Sequence, residues 1–172
     1  MANPGQAAAR AAIAAWFAPA NVPGLAAIHR TKPKLIQPQD FNLSAENGSG
    51  GIVVVHLTGA HENRVAMGGP ASGEKFSKYD LALQVYFRSL KVDAEKAQDD
   101  QDALIDAIYA RWRADRTFGT TPVSYNGSNA TIWQAGEGSF GITYEQAEMV
   151  LDGQTVCIDA VIRGEAWLYI AA

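Results

Sequence analysis

The loop Gly68-Gly69-Pro70-Ala71-Ser72-Gly73-Glu74-Lys75 is the first place where residue types and spacing suggest chemistry. Gly68 and Gly73 have the separation found in a phosphate-binding loop, whose backbone N–H groups cradle a nucleotide. The match fails at the residues that would do the work. Glu74 stands where the lysine belongs, Phe76 follows Lys75 where a magnesium-binding hydroxyl belongs, and the segment leads into a strand, so no helix N-terminus faces a phosphate. His61-Glu62 begins like a zinc-protease motif, but Val65 replaces the second histidine. His56 and His61, read as flanking a turn, lack a third ligand. Cys157, the single cysteine, lies between Val156 and Ile158 in a strand, the setting of a small apolar core residue. No serine stands in a Gly-x-Ser-x-Gly elbow. Asp80, Gln84, Tyr86 and Arg88 share one face of a strand and are the set that an enzyme pocket on a sheet would use. On these grounds no residue is assigned a catalytic, cofactor-binding or metal-binding role, and no cofactor is expected.

The elements that would hold such residues can be read from the pattern around them. The 172 residues fit one domain, and 48% hydrophobic with 19% charged residues is a globular composition. A net charge of -4 means that any grip on a phosphate backbone has to be local. The basic stretches Arg30-Lys32-Lys34 and Arg111 to Arg116 are small and have no interleaved aromatics for stacking bases. One cysteine excludes an intramolecular disulfide, and the absence of an apolar run of about 18 residues predicts no membrane span. Residues 1–20 read as a short amphipathic helix. Ala9, Ile13, Trp16 and Phe17 fall on one face and Pro19 stops it, which explains the stretch better than a signal peptide with a cleavage site at Ala18-Pro19-Ala20. Residues 21–50 read as a proline-rich extended arm whose Leu35, Ile36, Phe41 and Leu43 can dock on something, ending in a flexible link, Asn47 to Gly51.

Residues 51–172 carry the core. Ile52 to Leu57, a turn at Thr58-Gly59-Ala60 and a return from Glu62 to Met67 predict a hairpin. Tyr79, Leu81, Leu83, Val85 and Phe87 alternate with polar or small residues as a strand covered on at least one side. Asp93 caps a helix to about Asp115, with Ala97, Leu104, Ile105, Ile108 and Trp112 as its buried stripe; its acidic start and basic end suit the helix dipole. A short strand follows around Ala130 to Gln134. A closing hairpin runs from Ile142 to Leu151, turns at Asp152-Gly153 and returns from Gln154 to Ile162, with strand character again at Trp167 to Ile170. The predicted fold is α+β: a mixed or antiparallel sheet of two hairpins plus a central strand, packed with one long and one short helix.

The block Arg64-Val65-Ala66-Met67-Gly68-Gly69-Pro70, the loop Ser72-Gly73-Glu74-Lys75 and the strand Tyr79-Asp80-Leu81-Ala82-Leu83-Gln84-Val85-Tyr86-Phe87 resemble the tail terminator proteins of long-tailed, siphovirus-type phages of actinobacteria. The order of elements is similar too, from about Gln6 to the C-terminus; residues 21–50 and 118–141 match least. The resemblance implies a structural virion protein of the tail neck, not an enzyme, made in the host cytoplasm. Copies of the chain would form a ring, a homohexamer, at the head-proximal end of the tail tube. Such a ring ends stacking of the major tail protein and meets head-closure or connector proteins, while DNA crosses its lumen without specific binding. An acidic chain suits that wall. The expected contact residues are Gly68, Gly69, Ser72, Gly73, Glu74 and Lys75, toward a neighbour or the tube, and Lys32, Lys34 and Phe41 of the arm, toward an adjacent subunit or the head side. The alternatives are another neck component, a head-closure or adaptor protein, and a small-ligand enzyme using the Tyr86 face.

Overall fold

A computed structural model of the chain describes residues 6–43, 48–64, 75–91, 93–115, 118–119, 123–125, 128–134 and 141–170. The fold is α+β. Helices α1 (Gln6–Trp16) and α2 (Ala94–Ala114) accompany strands β1 (Leu25–His29), β2 (Ser49–Arg64), β3 (Lys75–Ser89), β4 (Val123–Tyr125), β5 (Ser128–Gln134), β6 (Thr143–Gln146), β7 (Val150–Asp152) and β8 (Thr155–Ile170). The described strands form one mixed sheet in the order β1-β2-β3-β8-β5-β4. β1 is parallel to β2, and the other pairs are antiparallel. β8 is paired with β3 from Val156, opposite Ser89, to Ile170, opposite Lys75. Its other edge is shared by β7, β6 and β5 in turn.

Alternation along the three long strands separates two faces. Leu81, Leu83, Val85 and Phe87 of β3, Val53 and Val55 of β2, and Val156, Ile158, Ala160 and Ile162 of β8 point to one side, where all are buried. There they meet Ala9 and Ile13 of α1, Phe17 just beyond its end, and Ala97, Leu104, Ile105, Ile108 and Trp112 of α2, the stripes that helical spacing predicts. Each fully buried Leu, Ile or Phe contributes about 1.5–3 kcal/mol. The rings of Phe17, Trp112 and Phe118 pack with centroids 5.8 to 5.9 Å apart. α1 is clasped to α2 at its end. The Trp16 indole N–H donates to the Arg111 carbonyl at 3.0 Å, and the Arg111 guanidinium stacks on the Trp16 ring and donates to the Trp16 carbonyl at 3.0 Å. Asp93 caps α2 by accepting from the Glu95 N–H. Asp100 pins the helix to the sheet, accepting from the Ser49 hydroxyl at 2.8 Å and pairing with Lys91 at 2.6 Å.

Three expectations are corrected by these elements. Thr58-Gly59-Ala60 is not a turn: β2 continues through it with one bulged residue, Leu57 lying opposite Leu81 and Gly59 opposite Asp80. The bulge inverts parity, so odd positions face the helices before it and Ala60, opposite buried Tyr79, does so after it. The sequence signal is the same for both, since a glycine among small residues serves a bulge as well as a turn; a Cβ on Gly59 would collide with the Asp80 carboxylate. The first hairpin is therefore β2–β3, with Arg64 opposite Lys75, and Glu62 belongs to the outgoing strand. The return predicted over residues 65–67 lies outside the described residues.

The second correction concerns the arm, which contains β1 and a 3-10 turn at Pro38–Phe41. The third concerns the glycines after it. Gly50 and Gly51 are strand residues of β2, not a link. A Cβ on Gly50 would overlap the Phe41 carbonyl oxygen, and one on Gly51 would overlap the Leu104 side chain. Glycine here lets the arm and α2 approach the same strand from opposite faces. In the closing hairpin, Gly153 takes φ of 63° in the turn, and β6 and β7 divide the arm that precedes it.

Candidate functional site

The polar face of β3 is covered by the arm. Ala82, Gln84, Tyr86 and Arg88 lie beside Ile52, Val54 and His56 of β2 and beside Cys157, Asp159 and Val161 of β8. Phe41, Ile52, Val54 and Tyr86 form a small second cluster, with Ala27, Ile36 and Leu43 at its margin. Between arm and sheet runs a groove of about 440 Å³, lined by Lys32, Lys34, Leu35, Tyr86, Arg88 and Cys157 among others.

Its polar groups are unevenly satisfied. Arg88 donates to the Asp159 carboxylate at 2.7 Å and lies over the Phe41 ring, 5.2 Å from its centroid. Lys32 Nζ is 5.9 Å from the centre of the Tyr86 ring. Tyr86 is only 7% exposed, yet its hydroxyl has no hydrogen-bond partner among the described residues. Such a buried orphan costs roughly 1–3 kcal/mol, an expense that a bound acceptor would relieve. Arg30, Lys32 and Lys34 are exposed, and none of them has an ion-pair partner among the described residues. Leu35 beside them is 67% exposed. Burial pushes the Cys157 thiol up; Arg88 opposes this and Asp152 and Asp159 reinforce it, so the sulfur is held as a thiol and not as a nucleophilic thiolate.

Of the expected contact residues, Lys32 and Lys34 are exposed at the groove. Phe41 is not an outward contact: it is 3% exposed and buried in the chain's own second cluster, because the 3-10 turn at Pro38–Phe41 lays it on Ile52 and Val54. Lys75 opens β3 opposite Arg64 and Ile170. Gly68, Gly69, Ser72, Gly73 and Glu74 lie outside the described residues. The enzyme-like set does not converge. Tyr86 and Arg88 line the groove, whereas Asp80 borders a separate hollow of about 220 Å³ with Arg163 and Glu165, some 20 Å along the strand. His56 and His61 sit on the continuous β2, about 16 Å apart by strand rise. Among the described residues no three His, Cys, Asp or Glu side chains gather as a metal ion requires.

Two surfaces were not singled out from sequence. β6 and β7 each pair only with β8 among the described residues, and on that edge Val150 is 55% and Leu151 72% exposed. β6 is tied back to α2, since Tyr144 donates to Gln146 at 2.6 Å and the amides of Gln146 and Gln98 bond to each other. On α2 itself, Glu95, Asp99, Asp102 and Asp106 are all exposed. Their spacing of four, three and four is legible in the sequence, where the acidic start of the helix also suits its dipole. No described helix is long and apolar enough to cross a membrane. No protein-family model and no curated protein matches the sequence.

Proposed function

We propose that the chain is a structural subunit that assembles with copies of itself into a ring at the head-proximal end of a phage tail tube, where it ends tube polymerisation and joins the tail to head-completion proteins. The observation that carries the reading is the β6–β7 edge, where Val150 and Leu151 of β7 stand in water on a strand that pairs, among the described residues, from one side only. An exposed apolar strand edge is a surface that monomeric proteins blunt and assembling proteins bury. The likeness of residues 64–75 and 79–87 to tail terminators supplies the kind of assembly. The groove supports a protein contact more than a reaction, because its one thiol is held protonated and its arginine is engaged by Asp159.

The test is electron microscopy of the purified chain, alone at high concentration and mixed with isolated tail tubes. Rings, and tubes capped at one end, are expected. Failure to do either would overturn the reading, and binding to portal-bearing capsids in place of tubes would move the chain to the adjoining neck position.

A further inference from the structure

The helix side of the sheet carries a line of carboxylates, and the arm side carries two exposed lysines at a groove that Asp152 also lines. On the helix side, Glu95, Asp99, Asp102 and Asp106 form one line about 16 Å long on α2, roughly 140° around the helix from its buried stripe. Exposed Ala103 and Ala110 lie beside the line and leave it flat. Asp102 accepts a hydrogen bond from Gln98 at 2.8 Å, which orients its carboxylate and leaves its charge in place. On the arm side are Lys32 and Lys34, exposed Leu35 and the buried Tyr86 hydroxyl, the lysines without an ion-pair partner and the hydroxyl without a hydrogen-bond partner among the described residues.

We infer that the acidic line of α2 in one copy docks on the Lys32–Leu35 groove of the next copy, so that the contact repeats head to tail around a ring. This rests on the ring reading above and names its interface. The two surfaces differ and lie on opposite faces, which disfavours a self-matching dimer contact and leaves a heterologous geometry, one that makes a ring where its rotation closes and a filament where it does not. The spacings agree. Lys32 and Lys34 are two residues apart and span at most about 7 Å, and Asp99 and Asp102 are neighbours about 5–6 Å apart on the helix. The Tyr86 hydroxyl is sealed beneath the groove and takes a docked carboxylate as its acceptor only if the arm shifts aside, while Leu35 rests on the alanine side of the line. Exposed ion pairs are individually weak and screened by salt. The contact therefore holds through repetition around a closed ring, and free subunits stay apart at low concentration.

Charge reversal tests it. Lys32→Glu with Lys34→Glu, and separately Asp99→Lys with Asp102→Lys, each put like charges across the contact, and each should weaken self-association in sedimentation velocity by about 10- to 100-fold. All four positions are exposed, so circular dichroism should stay unchanged. An equimolar mixture of the two variants should associate again, because every groove then meets an opposite helix, and the fourfold variant should do so alone. Carbodiimide cross-linking of the unaltered protein should join Lys32 or Lys34 of one copy to Asp99 or Asp102 of another. Rings that form equally well in both variants would overturn this interface and leave the ring reading standing. So would loss of association from the lysine variant alone with no rescue on mixing, which would give the groove to a different acidic partner. An unaltered chain that makes neither rings nor capped tubes would remove the ring reading itself.

Discussion

On its helix side β3 presents Tyr79, Leu81, Leu83, Val85 and Phe87 to two helices; on its arm side, offset by one residue at each step, it presents Ala82, Gln84, Tyr86 and Arg88 to a proline-rich segment. The first face is dry, apolar and continuous across β2, β3 and β8. The second has a cluster of four buried residues, an arginine shared between Asp159 and the Phe41 ring, and a hydroxyl with no partner among the described residues. Side chains on the helix face are fixed by packing, so substitution there is felt as lost stability. Those on the arm face are held by a thinner cover, beside which Lys32, Lys34 and Leu35 are exposed. One strand thus serves both tasks through its alternation.

The largest separation of the two faces should come from Trp112→Ala. Trp112 is buried against Phe17, Phe118 and the strand at Gly164, and its loss should lower unfolding free energy by about 3–5 kcal/mol in a denaturant titration. A loss below about 1 kcal/mol would mean that the helices do not form the main core. Gly50→Ala and Gly51→Ala form a smaller and sharper pair. Each introduces a methyl group into an occupied space and should cost about 1–3 kcal/mol. Only Gly50→Ala presses on the arm, so only it should speed alkylation of Cys157 as the groove opens. Equal rates in the two variants would show that the arm does not control access to the sulfur.

The smallest effect concerns how α2 is tied to the sheet. Burial raises the Asp100 carboxyl, but hydrogen bonds from Lys91 and Ser49 and the Lys91 charge outweigh it and leave the group below its ordinary 3.8. The folded form therefore favours the ionised carboxylate. Its contribution is complete above that ordinary value and is lost as pH falls through the lower folded one. Asp100→Asn should cost about 0.5–1 kcal/mol at neutral pH and flatten the fall in stability below about pH 4. An unchanged acid limb in the variant would show that the pair with Lys91 does not hold in solution.

The helix face was legible in the sequence because period and composition agreed there. The stripes of α1 and α2 and the alternation of β3 and β8 each place an unbroken set of apolar residues on one side. The arm face was legible only in part. β1 has the weak signal of Leu-Ala-Ala-Ile-His and pairs in parallel with a strand more than twenty residues later, a partnership that local pattern does not encode. Gly50-Gly51 reads as a link by composition, and its actual reason, two layers pressing on one strand, is a tertiary one. Thr58-Gly59 supports a turn and a bulge equally, and the distant partner Asp80 decides between them. Phe41 is apolar enough to dock, and its partner is the chain's own sheet. Lys32 and Lys34 could be placed on the surface from their type and neighbours; that a groove and an orphan hydroxyl lie beneath them depends on how the arm folds back.

β8 has one long partner on one side and three short ones on the other. In an extended strand consecutive amides point to alternate sides, so along β8 every second N–H belongs to the β3 ladder and the rest to the patchwork. The first set opens only when the central sheet comes apart, while β7 or β6 can lift away singly. Deuterium uptake along this strand should accordingly rise and fall from one residue to the next, and one element would report both the global unfolding of the chain and the local loosening of its rim.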